Sequence, residues 1–274
     1  MKKIWQLLSK SLYLLFRLSL FAGAAVFIVG ASLILSLREP IPENATSGPG
    51  ADQLARSVQQ ALYYQGGWER SRFIEWSFGG RKHLWDRERG FVKSEWGDLV
   101  VLFRISGEKH HVTRAGVQLR GAQAREVAEE AYAFWTNDSF WLYPARTFFD
   151  PGVERAVVPD PQSGEPQLLV RYTRGGVTPG DSYLFQLDAE RRPVGWRVWT
   201  QNLPISGLYI PWGGMERIEP SKIWVSTDHS LLGFSLTMNV RVGLVHIREL
   251  VSEDPFGAIE RDPLDPATHS RPSR

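Results

Sequence analysis

The chain has 274 residues, 43% of them hydrophobic and 23% charged, and carries a formal net charge of +2. That is the composition of a globular protein with room for one large or two small domains, without the basic field that a nucleic-acid partner calls for. The sequence contains no cysteine, which excludes disulfides, thiolate metal sites, thiol nucleophiles and the acylated cysteine of a bacterial lipoprotein.

Residues 1–17 carry Lys2, Lys3, Lys10 and Arg17 and no acid, and residues 18–37 (LSLFAGAAVFIVGASLILSL) carry no charge. Twenty helical residues at ~1.5 Å each span ~30 Å, the hydrocarbon thickness of a bilayer. Arg38 and Glu39 end the run, and Pro40 and Pro42 prevent further helix. The basic flank predicts an N-terminus in the cytoplasm and a C-terminal domain in the periplasm, held by a single pass through a bacterial inner membrane. The alternatives are a cleaved signal peptide and a buried core helix. Ala22, Gly23, Ala24 and Ala25 lie inside the apolar run rather than after it, which favours a retained anchor.

Residues 38–51 read as a Pro/Gly linker, and Asn44 and Asn137 each head a glycosylation triplet of a kind that recurs by chance. From Asp52 to Gln65, Leu54, Ala55, Val58, Ala61 and Leu62 repeat at helical spacing, with Gly66-Gly67 as the stop. Between Phe73 and Ile105 short apolar runs alternate with polar residues between turn signals, predicting antiparallel hairpins with one apolar face. Trp76, Trp85 and Trp96 recur along them, and a short strand follows near His110–Thr113. Residues 122–135 carry Ala124, Val127, Ala128, Ala131, Phe134 and Trp135 on one helical stripe, and Asn137-Asp138 is expected to end that helix. An aromatic stretch, Phe140 to Phe149, is broken by Pro144.

Strands are then expected at 167–173, 181–188, 193–201, 207–215, 223–227, 233–240 and 243–250, with Asp228-His229 read as a turn. Short turns without interleaved helices mean an antiparallel meander. Residues 251–274, Pro-rich and charged, are expected to be disordered.

The fold class is therefore α+β. About eleven strands form a curved antiparallel sheet, a half-barrel or open barrel over residues 52–250, with two covering helices behind the N-terminal transmembrane helix. This order of helix, meander, helix and second meander behind a membrane signal resembles the lipoprotein-carrier family of the bacterial periplasm. The resemblance is architectural, without a motif, so no residue inherits a role from it. It implies a curved half-barrel that holds acyl chains in an apolar hollow beneath its helices. Two departures are visible. The family's shuttle is released by signal cleavage and its outer-membrane members are anchored through cysteine, whereas this chain, with a retained anchor expected and no cysteine, is expected to use neither route, so a sensor, handover or scaffold role is as consistent as a shuttle.

Catalytic signatures are scarce. GxSxG, HExxH, Walker and GxGxxG patterns are absent from the sequence, and Ser106 to Lys109 matches SxxK only within a hairpin turn. His110 and His111 are adjacent on a strand and face opposite sides, while His83, His229 and His246 are scattered; a solvated or hydrogen-bonded imidazole is the default for each. The loop from Arg174 to Tyr183 is rich in glycine, which specifies its backbone geometry. Eleven tryptophans point to a large core or a ligand-facing surface. The expected apolar lining is Trp76, Phe78, Trp85, Trp96, Trp196 and Trp212, and the expected polar rim Arg171, Arg174 and Asp181. The reading is a membrane-anchored, non-enzymatic protein binding a lipid, acyl chain or other apolar small molecule, with no metal, cofactor or nucleic acid. The alternatives are an interaction protein with a filled core that binds another envelope protein, and a hydrolase using carboxylates the sequence does not identify.

Overall fold

A computed structural model describes residues 38–260 apart from 108, 175–177, 202, 204 and 232. The expected anchor at 18–37 lies outside the described residues. Among the described residues no helix is long and apolar enough to cross a membrane.

The described chain begins with a two-residue strand β1 (Thr46–Ser47), helix α1 (Pro49–Leu62) and the single turn α2 (Gly67–Arg70). A meander follows: β2 (Phe73–Phe78), β3 (Arg81–Asp86), β4 (Phe91–Trp96), β5 (Leu99–Arg104), β6 (His110–Arg114) and β7 (Val117–Gln118). Helix α3 (Gly121–Leu142) and a 3-10 turn (Pro144–Thr147) lead to a second meander. Its strands are β8 (Val153–Pro159), β9 (Pro166–Tyr172), β10 (Ser182–Leu187), β11 (Pro193–Trp199), β12 (Leu208–Ile218), β13 (Ile223–Leu231) and β14 (Phe234–Thr237). Strand β15 (Asn239–Gly243) and a last turn of helix, α4 (Gly257–Glu260), complete it.

The described strands make two antiparallel sheets, and no closed barrel. One has eight strands in the order β1-β8-β9-β10-β11-β12-β13-β14, the other seven in the order β15-β2-β3-β4-β5-β6-β7. The expected single sheet of about eleven strands is thus corrected to fifteen strands in two sheets. The two are joined at Met238, the one residue between β14 and β15, whose amide donates to the Thr227 carbonyl at 2.8 Å. Curvature is also built into β12. Residues 208–211 pair with β11 and residues 212–218 with β13, so the strand changes neighbours halfway. Gly214 sits just past that point with φ +55°, where an added Cβ would meet the Thr227 hydroxyl at 2.5 Å. Only glycine combines that backbone with that proximity.

Two helices cover the inner faces. On α1, Ala51, Leu54, Ala55, Val58 and Leu62 form a buried stripe against the first sheet. On α3 the stripe runs Ala124, Val127, Ala128, Ala131, Trp135, Asp138, Ser139 and Leu142. The spacing of three and four continues through Asp138, and so does the helix, seven residues beyond the end expected at 135. At ~1.5 Å per residue, 22 residues span about 33 Å. The part up to Trp135 packs on the second sheet, with Trp135 against Trp85 and Phe103, and the last turn packs on the first sheet through Phe140 and Trp141 against Trp196.

Both outer faces are covered too, which the sequence reading did not anticipate. The segment expected as a free linker packs Ile41 and Ala45 on Ala156, Val158, Leu169, Leu184 and Trp199, and the Trp199 indole donates to the Glu39 carbonyl at 2.7 Å. The tail expected to be disordered from 251 is folded as far as 260. Phe256 and Ile259 are buried against Phe73, Leu84, Phe91 and Leu102, because those alternate residues of β2–β5 leave an apolar strip on the outer face. The strand expected at 243–250 is instead the end of β15 and a 3-10 turn, Ile247–Glu249, with the Glu249 carboxylate accepting three backbone amides.

Candidate functional site

Period-two alternation places Ile74, Trp76 and Phe78 of β2, His83 and Trp85 of β3, and Val92, Ser94 and Trp96 of β4 on the face beneath α3. Trp76, Phe78 and Trp85 are buried there, while Trp96 is half-buried and meets Phe134 of α3 at 5.3 Å between ring centroids. On the first sheet, Leu168, Phe185, Trp196 and Ile210 form one cross-strand row facing inward. All six residues expected as apolar lining therefore lie on helix-covered faces, four on one sheet and two on the other.

The expected polar rim does not assemble. Arg171 shares a face with Leu169, the outer one, opposite Leu168 and Val170. Arg174 is exposed beside Gly152. Asp181 is buried and engaged within its own loop, accepting from the Thr178 hydroxyl at 2.6 Å and the Tyr183 hydroxyl at 3.2 Å.

What the sequence reading missed is His229. It lies mid-strand in β13, fully buried, directly opposite Trp212. Its ring is 5.0 Å from Trp212 and 5.3 Å from Trp141, both edge-on, and 6.3 Å from Trp196, nearly parallel. Among the described residues neither imidazole nitrogen has a hydrogen-bond partner, nor do the indole nitrogens of Trp196 and Trp212. Burial pushes the imidazole down to about 4, with nearby Asp228 pulling the other way, so the ring is neutral at pH 7 and carries one donor and one acceptor. The indole nitrogens of Trp76, Trp85 and Trp135 are likewise buried and unpaired. A buried polar atom without a partner typically costs ~1–3 kcal/mol, and native proteins rarely gather several on one surface.

A second buried group fastens α3. Asp138 of α3 accepts two bonds from Arg81, at 2.6 and 2.9 Å, one from His83 Nε2 at 2.9 Å and one from Asn137 at 3.0 Å. His83 Nδ1 in turn meets Ser94 Oγ at 2.8 Å. Burial raises the Asp138 carboxyl, but its bonds from His83, Arg81 and Asn137 outweigh that and hold it below the ordinary range. Ser94, His83 and Asp138 have the connectivity of a hydrolase relay, yet all three are sealed under α3. In this arrangement they pin the helix to the sheet and present no nucleophile. Among the described residues no three His, Asp or Glu side chains gather as a metal site.

An open cleft of about 650 Å³ lies beside this pin, at the end of β2–β5 and against β14, lined by Phe78, Arg81, Trp96 and Leu236 among others. Its size falls within the ~300–1,000 Å³ of small-molecule sites, and it reaches the apolar inner faces at Phe78.

No protein-family model matches the sequence, and no curated protein matches it. Two solved structures are similar over most of their length. A DUF1329 family protein from Desulfovibrio piger aligns with a TM-score of 0.37 at 10% identity, covering 74% of this chain and 96% of that one. A domain assigned as an outer membrane lipoprotein-sorting protein from Vibrio parahaemolyticus aligns with a TM-score of 0.35 at 10% identity, covering 73% and 96%. Both are too distant to carry a function to this chain, whose reading rests on its own residues.

Proposed function

We propose that this protein is an extracytoplasmic envelope protein, held in a bacterial inner membrane by residues 18–37, that binds an acyl chain or similar apolar ligand between its sheets and helix α3. Binding, not catalysis, is the activity assigned to it. The observation that carries the reading is the buried His229 with both nitrogens unpaired, set among the unpaired indole nitrogens of Trp196 and Trp212. Indole offers a donor and neutral imidazole one donor and one acceptor, so the group they fit is an ester, amide or protonated carboxyl at the polar end of an apolar ligand. Trp76, Phe78, Trp85 and Trp96 form the apolar wall toward the cleft. Trp141, packed on Phe78, Trp196 and His229, is the side chain such a ligand displaces.

A second reading is favoured by one fact: Trp76, Phe78, Trp85 and Trp196 already pack tightly under the helices. An interaction protein with a filled core requires nothing more. The two readings separate by photo-crosslinking from position 141 in the full-length protein in its membrane, with position 169 on the outer face as reference. An acyl adduct at 141 and none at 169, identified by mass spectrometry, is the expected result. Crosslinks from 141 that reach only Trp196, His229 or Phe78 would leave the filled-core reading in place.

A further inference from the structure

Toward the other end of β2 and β3, where Trp68 packs on Trp85, α1, α2 and the Pro144–Thr147 turn border a second open cleft, of about 470 Å³, lined by Arg56, Tyr63, Trp68, Glu69 and Arg146 among others. We propose that this cleft is an oxyanion site, recognising a phosphate or carboxylate group through the Arg146 guanidinium and the Tyr63 hydroxyl. The inference is independent of the acyl-ligand reading, since no residue is shared with the His229 cluster.

The cleft gathers unmatched donors. The Nε of Arg146 is buried and unpaired, and so are the hydroxyls of Tyr63 and, beneath Trp68, of Tyr143, which is 1% exposed. The Arg146 backbone amide lies near the Tyr63 hydroxyl but is committed to the Tyr143 carbonyl at 3.1 Å. Among the described residues neither Arg146 nor Arg56 closes an ion pair, although Glu69 and Asp150 are in the electrostatic neighbourhood of the site. A third guanidinium, Arg87, lies 3.7 Å from the Trp68 ring centroid and is bound only to the backbone carbonyls of Trp68 and Ser71. Arginine has no acceptor to offer, and a phenol next to cations serves best as a donor. A partner that answers guanidinium nitrogens and a hydroxyl together must supply several acceptor oxygens and negative charge, which selects an oxyanion over a sugar hydroxyl or a cation. The aromatic floor of Tyr63, Trp68 and Tyr143, with rings 5.5 and 5.0 Å apart, keeps the local dielectric low and so strengthens that recognition.

The oxyanion belongs either to a soluble phosphorylated solute or to a lipid headgroup, and titration calorimetry on the full-length protein in a neutral detergent tells them apart. One arm uses inorganic phosphate at constant ionic strength. The other uses lysophosphatidic acid against the uncharged monoacylglycerol. Saturable binding in the first arm assigns a soluble phosphate; binding of lysophosphatidic acid well above monoacylglycerol, without a phosphate response, assigns a headgroup. In either case Arg146→Gln is expected to weaken binding about tenfold or more. Tyr63→Phe, which keeps the ring and its packing, should weaken it several-fold. The proposal is overturned if neither phosphate nor lysophosphatidic acid binds, if lysophosphatidic acid and monoacylglycerol bind alike without a phosphate response, or if folded Tyr63→Phe and Arg146→Gln proteins bind as the parent does.

Discussion

The Trp141 indole meets the His229 imidazole edge-on, with ring centroids 5.3 Å apart and planes at 78°. The same indole reaches Phe78 on the other sheet at 5.7 Å. One side chain of α3 thus bridges two sheets whose strands follow one another directly at Met238. Truncation by Trp141→Ala removes both contacts, and because Trp141 is half-buried the loss belongs at the low end for a large aromatic, about 3 kcal/mol in urea unfolding. On the ligand reading the same variant should bind more of a fluorescent apolar probe such as N-phenylnaphthylamine than the parent, because the obstructing ring is gone. Equal probe binding by folded Trp141→Ala and parent would count against access at this point.

His229 also makes stability depend on pH in a defined direction. Its proton affinity is lower in the folded protein, about 4, than the 6.5 of a free imidazole. The unfolded chain therefore takes up a proton that the folded one refuses, and folding stability falls as pH drops from 6.5 towards 4. Between pH 7 and pH 5 the loss from this residue is roughly 2 kcal/mol, approaching about 3 kcal/mol near pH 4. Urea midpoints at the two pH values measure it. His229→Leu, similar in volume and without a proton to refuse, should flatten that part of the profile. A parent protein equally stable at pH 5 and pH 7 would contradict the neutral buried imidazole.

Asp138 behaves differently from Arg81 although they are partners. The Asp138 side chain is fully buried while Arg81 is 21% exposed. Asp138→Ala strands His83 and Arg81 without their acceptor, and removing one member of a buried ion pair costs about 3–5 kcal/mol. Arg81→Gln leaves Asp138 still bonded to His83 and Asn137, and its vacated charge lies towards solvent, so about half that loss is expected. Chemical denaturation of both variants checks the order, and limited proteolysis near residues 136–142 should report the loosened end of α3 in each.

These residues also show where sequence reading succeeds and fails. Alternation put Trp76, Phe78 and Trp85 on one covered face because β2 and β3 are paired neighbours, so period and turn signals suffice. His229 and Asp138 broke the reading for a shared reason. Each is a polar residue on a stripe that begins apolar, Ile223-Val225-Thr227-His229 on β13 and Ala131-Trp135-Asp138-Leu142 on α3, where polarity reads locally as a turn or a helix end. What makes Asp138 tolerable in the helix is Arg81, 57 residues earlier, a pairing only the tertiary fold creates. For His229 the continuing alternation was the available signal, outweighed by the turn preference of Asp228. Arg171 was misplaced for another reason: its strand, expected at 167–173, is found at Pro166–Tyr172, and which of its faces turns inward depends on α1, not on β9 itself.

The same limit explains the C-terminal segment, and it yields the last prediction. Residues 251–260 offer two large apolar side chains among charges and a proline, too few to read as structure alone. They are held because β2–β5 expose Phe73, Leu84, Phe91 and Leu102 on the outer face, and the Phe256 ring packs at a tilt on Phe91, with centroids 5.5 Å apart. Charge seals the contact: Arg89 bridges Asp86 at 2.6 Å, Asp254 at 2.8 Å and Glu260 at 3.2 Å, tying the segment to the β3–β4 turn. Asp86 and Arg89 are mostly shielded, whereas Glu260 is more than half exposed, so the first pair carries more than the last. Phe256→Ala is therefore expected to cost about 3–4 kcal/mol and to release the segment to protease, while Glu260→Gln should change stability by less than about 0.5 kcal/mol. Urea unfolding of the two variants, with cleavage at residues 251–260 followed by mass spectrometry, tests the difference. A Phe256→Ala protein as stable and as resistant as the parent would mean that the outer face of the second sheet does not depend on this cover.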